Sequence, residues 1–178
     1  FANSRFLGGE DTGFQSYRAH VWTRMDPDRS GLHRFVFETD AGFNEYTEFA
    51  LDVPLFFLCR DGKYVDVAGK GTFRDLMEGR LEGYRAEPGD WPAHLSTLFI
   101  DVRARPHLEM RACDCVPPEA IVACPGLWKG ILYDEACTDA AWDLVKRLSF
   151  SQRQELALAV PRTGIRTRRL DGRGTLQD

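Results

Sequence analysis

The amino-acid sequence predicts an α+β fold, with antiparallel strands and with helices packed on one side of them. The first observation is a hairpin signal: the apolar run at residues 53–59 and the alternating residues 63–67 flank the turn residues Asp61 and Gly62. The second observation is that apolar residues in the last third of the chain recur at helical spacing. Strands followed by helices are typical of α+β proteins.

Helices are predicted on both sides of this hairpin. Apolar residues at helical spacing mark residues 13–24, with Trp22 on the apolar stripe, and residues 43–51. After the hairpin, residues 72–78 and 90–99 are typical of short helices, and Asp90 is a suitable N-cap for the second of them. These helices would form the layer that packs on the strands.

Two apolar stripes and a third helix are predicted near the end of the chain. The stripes are Leu127, Trp128, Ile131 and Leu132 on the first helix, and Ala141, Leu144, Val145 and Leu148 on the second. Both follow the spacing of one helix face. Ser151 and Gln154 match a capping box for the last helix, which is predicted to end at Pro161.

Length and composition limit the possible classes of protein. The chain has 178 residues, which suits one domain or a part of a larger one. Its net charge of -4 argues against a general nucleic-acid-binding protein. No apolar run is long enough to span a bilayer, and no signal peptide opens the sequence. We therefore expect a cytoplasmic protein that does not contact a membrane.

The five cysteines are scattered along the chain. An odd, scattered set favours a reducing compartment over a disulfide framework. Cys113 and Cys115 are separated by one residue, whereas zinc-binding pairs usually have two to four residues between them and need a second pair. We therefore expect structural or incidental thiols and no metal site at these positions.

Residues 102–111, VRARPHLEMR, alternate between apolar and polar side chains. In a strand, one face would carry Arg103, Arg105, His107, Glu109 and Arg111. The pattern is typical of a half-solvated antiparallel strand. A second interpretation is a charged sheet face that lines a site for anionic substrates. In that case Glu109 is suited to hold Mg²⁺, and Arg111 to bind a phosphate or a carboxylate with two hydrogen bonds.

These residue types suit a reaction that joins a carboxylate to an amine at the expense of ATP. A metal neutralises the phosphates, and an arginine stabilises charge on the transferred phosphoryl group or on an acyl phosphate. Asp114, three residues after Arg111, is placed to orient a ligand or to contact the incoming amine. The pattern Glu-x-Arg-x-x-Asp is too common to identify a function by itself.

Five sequence blocks occur in a distinctive order and spacing. They are SYRAHVWTRMDPDRSG (16–31), FALDVPLFFLCRDGKYVDVAG (49–69), HLSTLF (94–99), VRARPHLEMR (102–111) and PGLWKGILYD (125–134). Together they resemble the glutamate–cysteine ligases of plants and proteobacteria, over about residues 1–173. The resemblance implies a fold similar to glutamine synthetase, in which a curved antiparallel sheet forms a funnel for ATP and metal ions. We expect residues 1–178 to be the C-terminal portion of a single catalytic domain, with both ends cut.

The resemblance also implies roles for particular residues. Arg18 matches an arginine that contacts the glutamate substrate, and Glu109 matches a strand glutamate that holds an active-site Mg²⁺. Arg111 matches the arginine that contacts substrate or phosphoryl oxygens. We therefore assign Arg111 both a catalytic role and a role in substrate binding. Asp114 is expected to bind substrate. Arg103 is assigned, with Glu109, to the binding of ATP.

The sequence departs from the family pattern near the expected amine acceptor. Phe56 stands where the family often has a tyrosine, and residues 112–118, ACDCVPP, replace Gly-Ala-Asp-Gly-Gly-Pro-Trp. A hydroxyl group and a tryptophan are therefore absent, so the sequence leaves the amine acceptor open between cysteine and another amine. Val67 stands where some plant members have a dimer-related cysteine, so we expect no such disulfide, and a homodimer stays possible.

The sequence thus predicts an ATP-dependent ligase that joins the γ-carboxylate of glutamate to the amine of cysteine, the first step of glutathione synthesis. Its partners would be glutamate, cysteine, ATP, Mg²⁺ and the remainder of the same catalytic domain. One alternative is a related γ-glutamyl–amine ligase with a different acceptor, and another is a non-catalytic binding module that kept the fold. Phosphate-bound Mg²⁺ normally draws on more than one carboxylate, so we expect this segment to be incomplete as an enzyme.

Overall fold

A computed structural model of the chain describes residues 2–38 and 41–178. The helices are α1 Tyr17–Trp22, α2 Phe43–Asp52, α3 Phe73–Met77, α4 Asp90–Ser96, α5 Ala123–Tyr133, α6 Glu135–Val145 and α7 Phe150–Thr163. The strands are β1 Phe6–Leu7, β2 Glu10–Asp11, β3 Ser30–Gly31, β4 Phe57–Arg60, β5 Lys63–Asp66, β6 Phe99–Ile100, β7 Val102–Ala104 and β8 Leu108–Met110. This mixture of helices and small sheets confirms the α+β class. None of the helices in the described ranges has the length and apolar character needed to cross a bilayer.

The chain forms two compact units. Residues 25–109 make up one of them, which we call the central unit. Residues 1–24 and 110–178 make up the other, which we call the terminal unit. The boundary falls inside β8, after Glu109.

The strands pair into separate two-stranded sheets. β1 pairs with β2 and β4 with β5 in antiparallel fashion, whereas β3 and β6 are parallel. β7 pairs with β8. The described residues therefore do not form the single curved antiparallel sheet that the sequence led us to expect. A two-stranded sheet of this length makes few ladder hydrogen bonds and is marginally stable by itself.

The hairpin predicted around Asp61 and Gly62 is confirmed. β4 and β5 pair along their whole length. Asp61 and Gly62 both have positive φ angles, of 52° and 72°. Two consecutive residues of this kind are typical of a type I′ turn, whose twist matches that of the flanking strands. Local turn chemistry is thus sufficient to position this hairpin.

An apolar core stabilises the central unit. Its buried side chains are Leu55, Leu58, Val67, Phe73, Leu76 and Leu81 in one cluster, and Ala50, Val53 and Leu98 in a second. Trp91 of α4 packs against both clusters. The clusters join the hairpin to α2, α3 and α4. Each fully buried large aliphatic side chain contributes about 1.5–3 kcal/mol to the free energy of unfolding.

A buried arginine also links separate parts of the central unit. Arg29 is 1% exposed. Its guanidinium donates to Asp26 Oδ2 at 2.7 Å, to Thr97 Oγ1 at 3.0 Å and to the Pro54 carbonyl oxygen at 2.7 Å. The same guanidinium lies 3.4 Å from the centroid of the Phe56 ring. Because each of its three nitrogens donates a hydrogen bond, the buried charge is compensated.

The buried side chains of the terminal unit are of a different kind. They include Ser16, Asp114, Arg153 and Thr167. Among the described residues of this unit, no Leu, Ile, Val, Met, Phe, Tyr or Trp side chain is buried. α1 packs against α7, and the backbone N–H groups of Gln15 and Ser16 both donate to the Pro161 carbonyl oxygen at 2.9 Å. Hydrogen bonds and half-buried side chains therefore hold this unit together.

The prediction of one continuous charged strand at residues 102–111 is wrong. A turn separates β7 from β8, and within it the N–H of Arg105 donates to the His107 carbonyl oxygen at 2.8 Å. The physical reason is Pro106, which fixes its own φ and has no N–H to donate to a ladder. The charged side chains consequently do not line one uninterrupted face.

Two predicted helix caps are also wrong. Asp90 does not cap α4 but accepts hydrogen bonds from the Arg60 guanidinium, at 2.7 and 2.9 Å. The capping box of α7 uses Ser149 and Gln152, two residues before the predicted pair, because the sequence SFSQRQ contains two overlapping Ser-x-x-Gln frames. The same helix continues for two residues beyond Pro161.

Candidate functional site

Arg18 lies in the first turn of α1, whose start is held by serine side chains. Ser16 is the N-cap, and its Oγ accepts a hydrogen bond from the Ala19 N–H at 3.0 Å. Ser4 lies in the N-terminal segment, and its Oγ accepts the Arg18 N–H at 3.0 Å. The N-terminal segment and the cap thus fix the backbone that presents the Arg18 side chain.

The guanidinium of Arg18 lies close to two other predicted site residues. Its Nη2 donates to the Arg111 carbonyl oxygen at 2.5 Å, and its Nη1 lies 3.8 Å from Asp114 Oδ1. Trp22 follows one turn later on α1, and the guanidinium carbons of Arg18 and Arg111 each lie 5.4 Å from its ring centroid. Both distances are in the cation–π range. The terminal unit thus brings Arg18, Arg111 and Asp114 together around one tryptophan.

Asp114 is the buried acid of this cluster. Its side chain is 1% exposed, and its Oδ2 accepts hydrogen bonds from the Asn3 N–H and the Ser4 hydroxyl, both at 2.8 Å. Its Oδ1 has no hydrogen-bond partner in the described part of the chain and is the oxygen closest to Arg18. A buried carboxylate needs such a cationic neighbour. Asp114 therefore orients Arg18 and the N-terminal segment, and its contact with a substrate stays a prediction.

The cluster is suited to bind a carboxylate. The Arg18 side chain is 32% exposed, so a ligand can reach it. A guanidinium has five N–H donors in a flat fork, which matches the two oxygens of a carboxylate. The contacts of Arg18 with Arg111 and Trp22 restrict its rotamers, which reduces the entropy lost when a ligand binds.

A cavity of about 550 Å³ adjoins this cluster in the terminal unit. Ser16, Ala19 and Ala112 contribute to its wall, next to Arg18 and Arg111 in the sequence. Its volume is within the range of small-molecule sites. The side chains of Arg18, Arg111 and Asp114 are not part of its lining, so the cavity is a neighbour of the cluster.

The other two predicted site residues, Arg103 and Glu109, form an ion pair in the central unit. Nε and Nη2 of Arg103 donate to Glu109 Oε2 at 3.1 and 2.7 Å. Nη1 of Arg103 donates to the Ser96 carbonyl oxygen at 3.4 Å. The turn at Pro106 allows this pairing, since in one extended strand two residues six positions apart would be about 20 Å from each other.

The described residues do not form a Mg²⁺ site on their own. Within residues 2–38 and 41–178, no group of three or more His, Cys, Asp or Glu side chains is placed to hold a metal ion. Glu109 is also paired with Arg103, and this cation competes with a metal for the carboxylate. A bound Mg²⁺ would need further carboxylates from outside these residues. The role of Glu109 as a metal ligand therefore stays a prediction.

The predicted site residues thus fall into two clusters. Arg18, Arg111 and Asp114 belong to the terminal unit, and Arg103 and Glu109 belong to the central unit. The first cluster can recognise an anion, whereas the second is an ion pair whose charges compensate each other.

Sequence reasoning missed Trp22, Asn3 and Ser4. It assigned Trp22 only to an apolar stripe, although a spacing of four residues from Arg18 places both side chains on the same helix face. Asn3 and Ser4 carry no comparable signal. Their partner Asp114 is 111 and 110 residues away in the chain, so only the folded structure brings them together.

Comparison with known proteins now decides the family. The family model described as glutamate-cysteine ligase family 2 matches residues 1–178, the whole chain. The chain belongs to this family. The chloroplastic glutamate–cysteine ligases of Brassica juncea and Medicago truncatula are each 42% identical to it over 175 residues, and that of Nicotiana tabacum is 41% identical.

These alignments cover 97% of the chain but only 33–34% of the relatives. The chain therefore spans about a third of the length of the glutamate–cysteine ligases that it matches. The family resemblance noted from the five sequence blocks is confirmed.

The names of these glutamate–cysteine ligases contradict the expectation of a cytoplasmic protein. The relatives from Brassica juncea, Medicago truncatula, Arabidopsis thaliana and Oryza sativa are all named chloroplastic. The expectation rested on scattered cysteines and on the lack of a signal peptide. Scattered thiols indicate a reducing compartment, and this property does not single out the cytosol.

Proposed function

We propose that the chain is part of an ATP-dependent ligase that joins the γ-carboxylate of glutamate to the amine of cysteine. The observation that carries this proposal is the cluster of Arg18, Arg111 and Trp22 beside buried Asp114, in a chain that matches the glutamate–cysteine ligase family from end to end. An anion-binding cluster is what a glutamate substrate requires.

The proposed reaction has two steps. The γ-carboxylate of glutamate attacks the γ-phosphorus of ATP, which gives an acyl phosphate and ADP. The amine of cysteine then attacks the acyl carbon, an amide bond forms, and inorganic phosphate leaves with the bonding electrons. The attacking nitrogen loses one proton to a base or to water.

Two arginines have distinct roles in this scheme. Arg18 binds a carboxylate of glutamate, held in position by the Arg111 carbonyl oxygen and by Asp114. Arg111 stabilises the negative charge on the phosphoryl oxygens as the acyl phosphate forms. Asp114 acts through Arg18, which it orients. Mg²⁺ would neutralise the phosphates of ATP, and Glu109 is the residue predicted to help hold it.

We further infer that residues 1–178 are the C-terminal portion of a longer catalytic domain. Two findings support a longer domain: the chain spans about a third of the relatives' length, and no three described His, Cys, Asp or Glu side chains are grouped to hold a metal ion. The remainder of the domain would supply the missing carboxylates and the strands that complete a funnel-shaped sheet. A homodimer stays a prediction.

A second candidate changes only the amine acceptor. Phe56 has no hydroxyl group to bind an acceptor, and one face of its ring is occupied by the Arg29 guanidinium. An acceptor pocket with this wall would be more apolar than one with a tyrosine. A panel of amines, with ADP release as the readout, would distinguish cysteine from other acceptors.

The proposal is tested by Arg18→Lys in the complete protein encoded by the full reading frame. Lysine keeps the charge but loses the fork that binds a carboxylate with two hydrogen bonds. We expect the KM for glutamate to rise about tenfold or more, which corresponds to about 1.4 kcal/mol, while the KM for ATP changes less than about twofold. Initial rates measured against each substrate give both values.

Arg24→Lys is the matched control, since Arg24 is an exposed arginine just after α1. It should leave both KM values unchanged. Equal increases in the two KM values for Arg18→Lys would make Arg18 a structural or phosphate-binding residue. An unchanged KM for glutamate would remove it from the substrate site.

A further inference from the structure

The helices α5 and α6 leave much of their apolar surface uncovered. Both are fully described, and neither contains a buried residue. Seven of the eleven residues of α5 are nevertheless hydrophobic. Within the terminal unit, the main packing partner of each helix is the other. A helix of this length gains most of its stability from burying an apolar face, so this exposure requires an explanation.

The two apolar stripes predicted from the sequence are covered on one side only. The half-buried members are Trp128 and Ile131 on the first stripe, and Ala141 and Leu148 on the second. The exposed members are Leu127 at 49%, Leu132 at 47%, Leu144 at 80% and Val145 at 37%. Each stripe therefore continues past the contact between α5 and α6, onto surface that no described residue of the terminal unit covers. We call these four exposed side chains the open face.

Exposure on this scale differs from that of ordinary surface residues. Single exposed leucines are common in folded proteins and need no explanation. Four large aliphatic side chains on two helices that pack together are instead typical of a surface that binds another protein segment. Tyr133 and Trp142, at 85% and 46% exposure, add aromatic surface to the same pair of helices.

We propose that the open face is the docking surface for the part of the family's polypeptide that this chain does not span. In the first relative the matched region is 34% of the length, so about two thirds of that polypeptide lies outside it. The terminal unit has no buried large apolar side chain among its described residues, so it needs apolar surface from elsewhere. The occupant is accordingly an apolar segment of the same polypeptide. This inference rests on family membership and is independent of the proposed reaction.

Two other occupants fit less well. A membrane surface attracts helices that are rich in lysine and arginine, whereas these two carry Lys129 against Glu135, Asp139 and Asp143. A second copy of the chain would cover the face only at sufficient concentration. A segment of the same polypeptide is present at a far higher effective concentration, and the terminal unit needs its cover in every molecule.

The test uses two substitutions of Leu144 in the complete protein, with the thermal midpoint Tm as the readout. Leu144→Ala should lower Tm by about 3 °C or more, because a buried leucine loses its packing. Leu144→Glu should lower it further, because the charge has to be buried. Asp139→Lys changes an exposed position of the same helix and should shift Tm by less than about 1 °C.

Leu144→Ala keeps the test decisive even if Leu144→Glu prevents folding. At a solvent-exposed helix position alanine is at least as favourable as leucine, so an unchanged or higher Tm would mean that the face is open to solvent and would overturn the proposal. The proposal would also be overturned if the protein were a dimer whose Tm depends on protein concentration and if Leu144→Glu converted it to a monomer in sedimentation. That result would assign the open face to a second copy of the chain. Tm does not report ligase activity, so failure of the proposed reaction is a separate result.

Discussion

The central and terminal units are stabilised in opposite ways. In the central unit, leucine, valine and phenylalanine side chains from the hairpin, α3 and the following loop form a closed apolar cluster. In the terminal unit no large aliphatic or aromatic side chain is buried among the described residues, and large apolar residues of α5 and α6 are exposed. The terminal unit also contains Arg18, Arg111 and Asp114. The unit with the cluster of Arg18, Arg111 and Asp114 is therefore the one for which we propose a docking surface.

Two arginines show the same difference at the level of single side chains. Arg29 of the central unit is 1% exposed and donates from all three guanidinium nitrogens, so it is a structural link. Arg18 of the terminal unit is 32% exposed and is held by the Arg111 carbonyl oxygen and by Asp114. An arginine that is oriented but still accessible is suited to recognise a substrate.

The largest expected effect comes from a pair of leucine-to-alanine substitutions in helices of the two units. Leu76 of α3 is 1% exposed, and Leu158 of α7 is 68% exposed. Leu76→Ala should lower the free energy of unfolding of the chain by about 3 kcal/mol, because it leaves a cavity in the core. Leu158→Ala should change it by less than about 0.5 kcal/mol. Urea denaturation gives both values, and equal losses would mean that the two units do not differ in this way.

A smaller effect is expected from pH, and it should arise in the central unit. Burial lowers the pKa of His94 below its ordinary value of 6.5, the hydrogen bond to the Ala50 carbonyl oxygen opposes this, and the charge of Arg29 lowers the pKa further. The unfolded chain therefore takes up the proton first as pH falls through about 6.5, and the free energy of unfolding decreases. One such proton accounts for at most about 1.4 kcal/mol per pH unit.

His94→Gln makes this pH dependence testable. Glutamine keeps an N–H donor for the Ala50 carbonyl oxygen but cannot take up a proton. The decrease in the free energy of unfolding between pH 7.5 and pH 5.5 should be smaller in the variant. It should not vanish, because burial also lowers the pKa of His33, which belongs to the same unit. An identical slope in the variant would show that His94 does not contribute.

Local chemistry allowed much of the secondary structure to be predicted. The turn at Asp61 and Gly62 and the helix expected at residues 43–51 depend on neighbouring residues, and the structure has both, with α2 one residue longer. The prediction of one strand at residues 102–111 was wrong because it relied on the alternation of apolar and polar residues. It gave too little weight to Pro106, which cannot donate a hydrogen bond to a strand ladder. The sheet arrangement could not be read from the sequence, since strand pairing joins distant segments.

The candidate site shows the same limit. Family resemblance directed attention to Arg18 and Arg111, and the structure places both near Trp22. The anchoring of Asp114 by Asn3 and Ser4 joins the two segments of the terminal unit, residues 1–24 and 110–178. A contact across more than 100 residues leaves no pattern in the sequence, and its energy depends on burial that only the fold creates.

Amide hydrogen exchange tests most directly the claim that the central unit holds its own core whereas the terminal unit needs the rest of the polypeptide. The 178-residue chain and the complete protein are compared under the same conditions. We predict that amides of α3 and β4 exchange slowly in both, and that amides of α5 and α6 exchange at least about tenfold faster in the chain alone. Equal protection of α5 and α6 in the two proteins would contradict this claim.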